Sequence, residues 1–138
     1  MRTRQFRDLL VWQRSMRLVE AVYQATRNFP KDEMFGLTAQ MRRAAVSVPS
    51  NIAEGQGRDS EKSFAQFLNQ ARGSLYELET QLELASNLSM LPHETMNHLQ
   101  EDAAEIARML HGLRNTLLSA NAAAFSGRKG KAAIALSR

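Results

Sequence analysis

The sequence predicts an all-α protein, an up-down-up-down four-helix bundle with a kinked second helix and a disordered basic C-terminal tail. Apolar residues recur three and four positions apart in four separate segments, which is the period of helices facing a shared core. Between those segments stand prolines, glycines and capping residues that stop one helix and start the next. After Ser119 the rhythm is lost and the chain turns small, glycine-containing and basic. The expected organisation is therefore one bundle over residues 1–118 and a flexible tail over residues 119–138.

The first helix is expected over residues 6–28, where Leu9, Trp12, Met16, Val19 and Tyr23 form one apolar stripe and place Trp12 in the core. A second stripe of Val11, Leu18 and Val22, with Ser15 and Ala25 nearby, lies about 120° around the same helix at about 100° per residue. One core needs one stripe. The second is expected to face another subunit, so Val11, Leu18 and Val22 are the candidate oligomer interface. Phe29-Pro30 closes this helix, because the residue before proline avoids helical geometry.

The second helix is expected over residues 33–56, with a start that slips toward Thr38 because Gly36 weakens it. Leu37, Met41, Ala44, Val48 and Ile52 give its stripe, while Ala45, Ser47, Ser50 and Ala53 keep adjacent faces small enough for another backbone to approach. Pro49 removes a backbone hydrogen bond and crowds the preceding turn, so a kink or break is expected there. Gly55 and Gly57 offer the left-handed conformation that ends a helix, and Asp59 or Ser60 can cap the next.

The third helix, over residues 60–88, carries Phe64, Leu68, Ala71, Leu75, Leu78, Leu82 and Ala85 without a fault in the three-four spacing. Gly73 lies off this seam and is expected to admit a close neighbour, such as the small face of the second helix. Pro92 suits the first position of the fourth helix, over residues 93–118, whose seam is Met96, Leu99, Ala103, Ile106, Leu110, Leu113 and Leu117.

The stretch QMRRAAVSVPSNIAEGQGR, residues 40–58, stands out from plain amphipathic helix. Preceded by FPKDEMFGLTAQ and followed by ARGSLYELETQLELA, it resembles the four-helix bundle family of 23S rRNA-intervening-sequence proteins, over residues 6–118. The polar residues Arg42, Arg43, Asn51, Glu54 and Arg58 all match the family pattern. The resemblance implies the bundle fold and no settled enzymatic activity. Through a related bundle, the accessory protein of diversity-generating retroelements, it also implies a five-fold homo-oligomeric ring that engages nucleic acid and a reverse transcriptase.

A chain of 138 residues without cysteine holds neither disulfides nor thiolate metal sites, and can bury about two-thirds of its unfolded surface without such staples. No membrane span or signal peptide is readable, so a cytoplasmic location is expected. The net charge of +4 is unevenly spread. Residues 1–31 carry seven basic and two acidic side chains, residues 59–118 four and nine, and residues 119–138 four and none. Either the basic first helix is neutralised by acids of the third and fourth, or it forms a binding surface.

No catalytic residues, cofactor or metal are expected. Di-iron bundles use Glu-x-x-His, which this sequence lacks. Glu94, His98 and His111 suit solvated or capping roles, and the serines near Pro49 have no histidine in the motif to activate them. Gly55-Gln56-Gly57 follows a helix and lacks the lysine of a phosphate loop. What remains is binding. Arg7, Arg14 and Arg17 fall within about 80° of arc on a continuous helix, and with Arg42, Arg43, Arg58 and the tail residues Arg128, Lys129 and Lys131 they are the candidate contacts to RNA or DNA. The competing readings are a protein-docking oligomer without nucleic acid and a purely structural role for the motif, its arginines pairing with Glu77, Glu79 or Glu83.

Overall fold

The computed structural model describes residues 5–133. A 3-10 turn at Phe6–Asp8 leads through the extended Leu9 (φ −78°, ψ 124°) into α1, Leu10–Thr26. A second 3-10 turn at Lys31–Glu33 precedes α2, Leu37–Gln56. Then follow α3, Glu61–Asn87, and α4, His93–Ala133. Each helix packs on its sequence neighbours and α4 closes the ring against α1. Short connections make neighbours antiparallel, so the expected four-helix bundle is the fold.

The core follows the expected seams of three helices. Met41, Ala44, Val48 and Ile52 of α2 are buried, as are Phe64, Leu68, Ala71, Leu75, Leu78, Leu82 and Ala85 of α3. Met96, Leu99, Ala103, Ile106, Leu110 and Leu117 of α4 complete it. The α2 helix crosses the buried Pro49 without a break. Its small face does what small faces allow, as Ser47 Oγ meets Ser74 Oγ of α3 at 2.8 Å.

The turns show where local chemistry wins. Ser60 caps α3 by accepting from the Ser63 amide at 3.0 Å. The other end of α3 closes with the Met90 amide on the Ala85 carbonyl at 2.9 Å and the Ser89 amide on the Ser86 carbonyl at 3.0 Å, a paired Schellman closure. Ser89 occupies its left-handed position at φ 62°. At the α2 end no glycine has positive φ. Gly55 is instead needed for space, because a Cβ there would lie 2.6 Å from the Phe67 Cβ. Gly73, expected to admit a neighbour, has nothing within 4 Å of where its Cβ would be.

The α4 helix also runs past its expected end. The stretch read as a disordered tail is helical backbone as far as Ala133, because its alanines, Arg128, Lys129 and Lys131 are strong helix formers and outweigh two glycines. Residues 134–138 of the expected tail lie outside the described residues.

Candidate interaction surfaces

Helix α1 has two apolar faces, and the structure turns them opposite to expectation. Val11, Leu18 and Val22 are buried in the chain's own core together with Ser15 and Thr26. They cannot form an interface between copies, which corrects that assignment. The reason lies in the hydroxyls. Ser15 Oγ donates to the Val11 carbonyl at 2.7 Å and Thr26 Oγ1 to the Val22 carbonyl at 2.9 Å, so both small side chains enter the core with their donors satisfied.

The other stripe faces outward. Met16 and Tyr23 are exposed, while Leu9, Trp12 and Val19 are half-buried and pack against the core from outside it. Trp12 is therefore not a core residue, and it sits edge-on to Phe6 with ring centroids 5.2 Å apart. Trp12, Met16 and Val19 meet Val46, Pro49 and Ala53 of α2 around a groove of about 300 Å³. Val46 also borders a wider cleft of about 700 Å³ that includes Tyr23, Met34, Arg42 and Arg43. Phe35, beside Met34 in the chain, is 92% exposed. The α1–α2 side thus carries a continuous apolar strip rimmed by arginine.

The expected nucleic-acid contacts do not assemble as one cluster. Arg7 lies in the 3-10 turn ahead of extended Leu9, so it does not share a helical arc with Arg14 and Arg17. Its guanidinium sits 4.7 Å from the Phe6 ring centroid. Arg14 pairs with Glu105 of α4, so part of the charge segregation is indeed neutralised inside the bundle. Arg42 donates from Nε to Thr26 Oγ1 at 2.9 Å and lies over the Tyr23 ring at 4.5 Å. Arg58 pairs with Glu54 at 3.1 Å and covers Phe67 at 4.7 Å. Arg42 makes no ion pair with Glu77, Glu79 or Glu83 among the described residues. Arg17 and Arg43 are exposed and make no ion pair among the described residues. The side chains of Arg128, Lys129 and Lys131 lie outside the described ones.

The motif of α2 therefore works largely within the bundle. Asn51 Nδ2 donates to the Ser47 carbonyl and hydroxyl, both at 2.9 Å, extending the Ser47–Ser74 bridge between α2 and α3. The profile of the 23S rRNA-intervening sequence protein family matches residues 7–112, which take in this motif, all of α1, α2 and α3 and about the first half of α4. The chain belongs to that family. No curated protein matches it. Among solved structures, it is similar to a protein of unknown function from the S23 ribosomal protein family of Bacteroides thetaiotaomicron, at 24% identity and a TM-score of 0.69. That likeness spans 76% of this chain and 98% of the other, and it shows the shared fold.

In this member of the 23S rRNA-intervening sequence proteins, no three His, Cys, Asp or Glu side chains among the described residues are grouped to hold a metal ion. No described helix is long and apolar enough to cross a membrane. A third groove, between α3 and α4, gathers Arg72, Tyr76, Arg108 and His111. Nothing in the spacing of these four residues joins them. Arg72 and Tyr76 stand four apart and Arg108 and His111 three apart, so each pair is legible alone, but only the pairing of α3 with α4 brings them together.

Proposed function

We propose that the protein is a homo-oligomeric assembly module, with the outward apolar strip of α1 and α2 as the contact between copies. One observation carries this: Met16 and Tyr23 are exposed and Trp12 half-buried beside Val46, an apolar strip that a lone bundle leaves facing water. Head-to-tail contacts that close into a ring are the arrangement implied by the family resemblance. Five copies is the number implied by the family resemblance. The work of such a particle is binding, with no reaction centre, in the cytoplasm. Light scattering of the wild type beside Met16→Glu and Val46→Glu tests the reading. Both variants should keep full helix content by circular dichroism and lose assembly, whereas a wild type that stays monomeric overturns it.

The second reading is weak nucleic-acid binding without base preference by the assembled ring. It is favoured by Arg17 and Arg43, which stay exposed without an ion-pair partner among the described residues, and by the net charge of +4. Repetition in a ring multiplies a modest affinity per copy. Binding of RNA or DNA should weaken steeply as salt rises from about 50 to 200 mM, because released counterions drive it. If assembly is seen and no nucleic acid binds at the lowest salt, the particle is a scaffold for a protein partner, of which a reverse transcriptase is the one implied by the resemblance.

A further inference from the structure

The α3–α4 groove lies across the bundle from the assembly strip and encloses about 360 Å³. Arg72 of α3 donates from Nη2 to Tyr76 Oη at 3.2 Å, but its Nε is buried with no hydrogen-bond partner. A buried guanidinium N–H without an acceptor is costly, so an oxygen from outside the chain would relieve it. Arg108 and His111 face this position from α4, and Arg108 is exposed with no ion pair among the described residues. Arg114 follows Ala107, a lining residue, by seven positions and so lies within about 20° of the same helix face. Its Nε is buried and unpartnered too.

The groove's other charged residue is Glu79. Burial raises the pKa of its carboxyl, and its charge is set against those of Arg72 and Arg108 in the same lining. Tyr76, with 52% of its surface exposed, presents an aromatic ring beside the Arg72 guanidinium. A carboxylate from a protein would also satisfy the arginines. The exposed ring favours a nucleotide, since every base has a face for stacking and every nucleotide brings a phosphate within reach.

We propose that the α3–α4 groove binds a nucleotide unit of single-stranded nucleic acid, with Arg72 and Arg108 contacting phosphates and Tyr76 stacking on a base. This rests on the nucleic-acid reading above and gives it a site separate from Arg17 and Arg43. The test is fluorescence anisotropy of a labelled single-stranded oligoadenylate with the full chain, at several salt concentrations. Compared with the wild type are Arg108→Gln, Arg72→Gln/Arg108→Gln, Tyr76→Ala and, as a control on the other side, Arg17→Gln/Arg43→Gln.

The double groove variant should bind about tenfold more weakly at low salt, with a log–log salt slope shallower by about 1.4 for two lost single-strand phosphate contacts. Arg108→Gln, at an exposed position, should lose about half of that slope change while folding normally. Tyr76→Ala should weaken binding about tenfold with the slope unchanged, as expected for a stacking partner. Adenosine monophosphate should compete only weakly if the ligand is a strand, and fully if it is a free nucleotide, which would overturn the strand assignment. Wild-type binding that the groove variants leave intact and the control abolishes overturns the site while the nucleic-acid reading stands. No wild-type binding overturns both. Binding of polyglutamate in place of the oligonucleotide shows that the groove takes an acidic protein segment, and overturns the proposal in that direction.

Discussion

The two faces of α1 both carry apolar side chains, three on one and four on the other, yet the first is core and the second is surface. The buried face holds Val11, Ser15, Leu18, Val22 and Thr26. The outward face holds Trp12, Met16, Val19 and Tyr23, which are larger and include the chain's one tryptophan. Side-chain volume and satisfied polarity decided between them, with hydrophobicity counting for less. A core already filled by the leucines of α3 and α4 takes a face of moderate volume, since interiors are packed to crystal density and extra methylenes strain them. The hydroxyls of Ser15 and Thr26 bond to their own helix, so they cost the buried face little.

Truncating one residue on each face separates the two faces most widely. Leu18→Ala should destabilise the fold by about 2–5 kcal/mol, the usual cost of a leucine-sized cavity. Met16→Ala should stay within about 0.5 kcal/mol at concentrations where the protein is monomeric, as surface changes do. Urea denaturation followed by circular dichroism reads both. A small loss for Leu18→Ala and a large one for Met16→Ala would restore the assignment made from heptad spacing alone.

Much of the fold was legible because α3 and α4 have one apolar stripe each, and a single stripe leaves no choice of face. The family motif was equally readable at Asn51 and Ser47. Helix α1 was ambiguous because it carries two apolar stripes, and spacing alone does not say which one the core takes; the buried one includes Ser15 and Thr26, whose hydroxyls bond within the helix. The arginine arc failed at Leu9, whose extended backbone breaks the continuous helix that the angle assumed. Arg72, Tyr76, Arg108 and His111 were hidden for a different reason. Spacing reports neighbours on one helix, and this groove depends on which two helices touch.

The same contrast between packed and open positions recurs in two glycines of adjacent helices, with a smaller effect. Gly55→Ala would place its Cβ 2.6 Å from the Phe67 Cβ, forcing α2 and α3 apart at the turn. We expect a loss of about 1–3 kcal/mol, the range for overpacking. Gly73→Ala meets nothing within 4 Å and should stabilise α3 by roughly 0.5–1 kcal/mol, the helix preference of alanine over glycine. Thermal melts of the two variants should therefore move in opposite directions. If Gly73→Ala lowers the melting temperature, a neighbour approaches that face in solution, as it would if a second copy packed there.

The finest distinction lies inside the buried face, between its two hydroxyls. Ser15 Oγ donates to the Val11 carbonyl, which the helix would leave adequately bonded without it, so Ser15→Ala should change stability by no more than about 0.5 kcal/mol. Thr26 Oγ1 does the same to Val22 but also accepts from Arg42 Nε at 2.9 Å. Thr26→Val keeps the shape and removes that acceptor, and the loss should be about 1 kcal/mol, since half-exposed Arg42 can recover part of the bond from water. Thr26→Ser should restore most of it. The loss would also be felt outside the core. Arg42 is held over Tyr23 by this bond, and Tyr23 borders the cleft beside the proposed assembly strip. Thr26→Val should therefore weaken self-association in sedimentation measurements while Ser15→Ala leaves it unchanged. Equal effects from the two would mean that the Thr26–Arg42 bond does not set the shape of that surface.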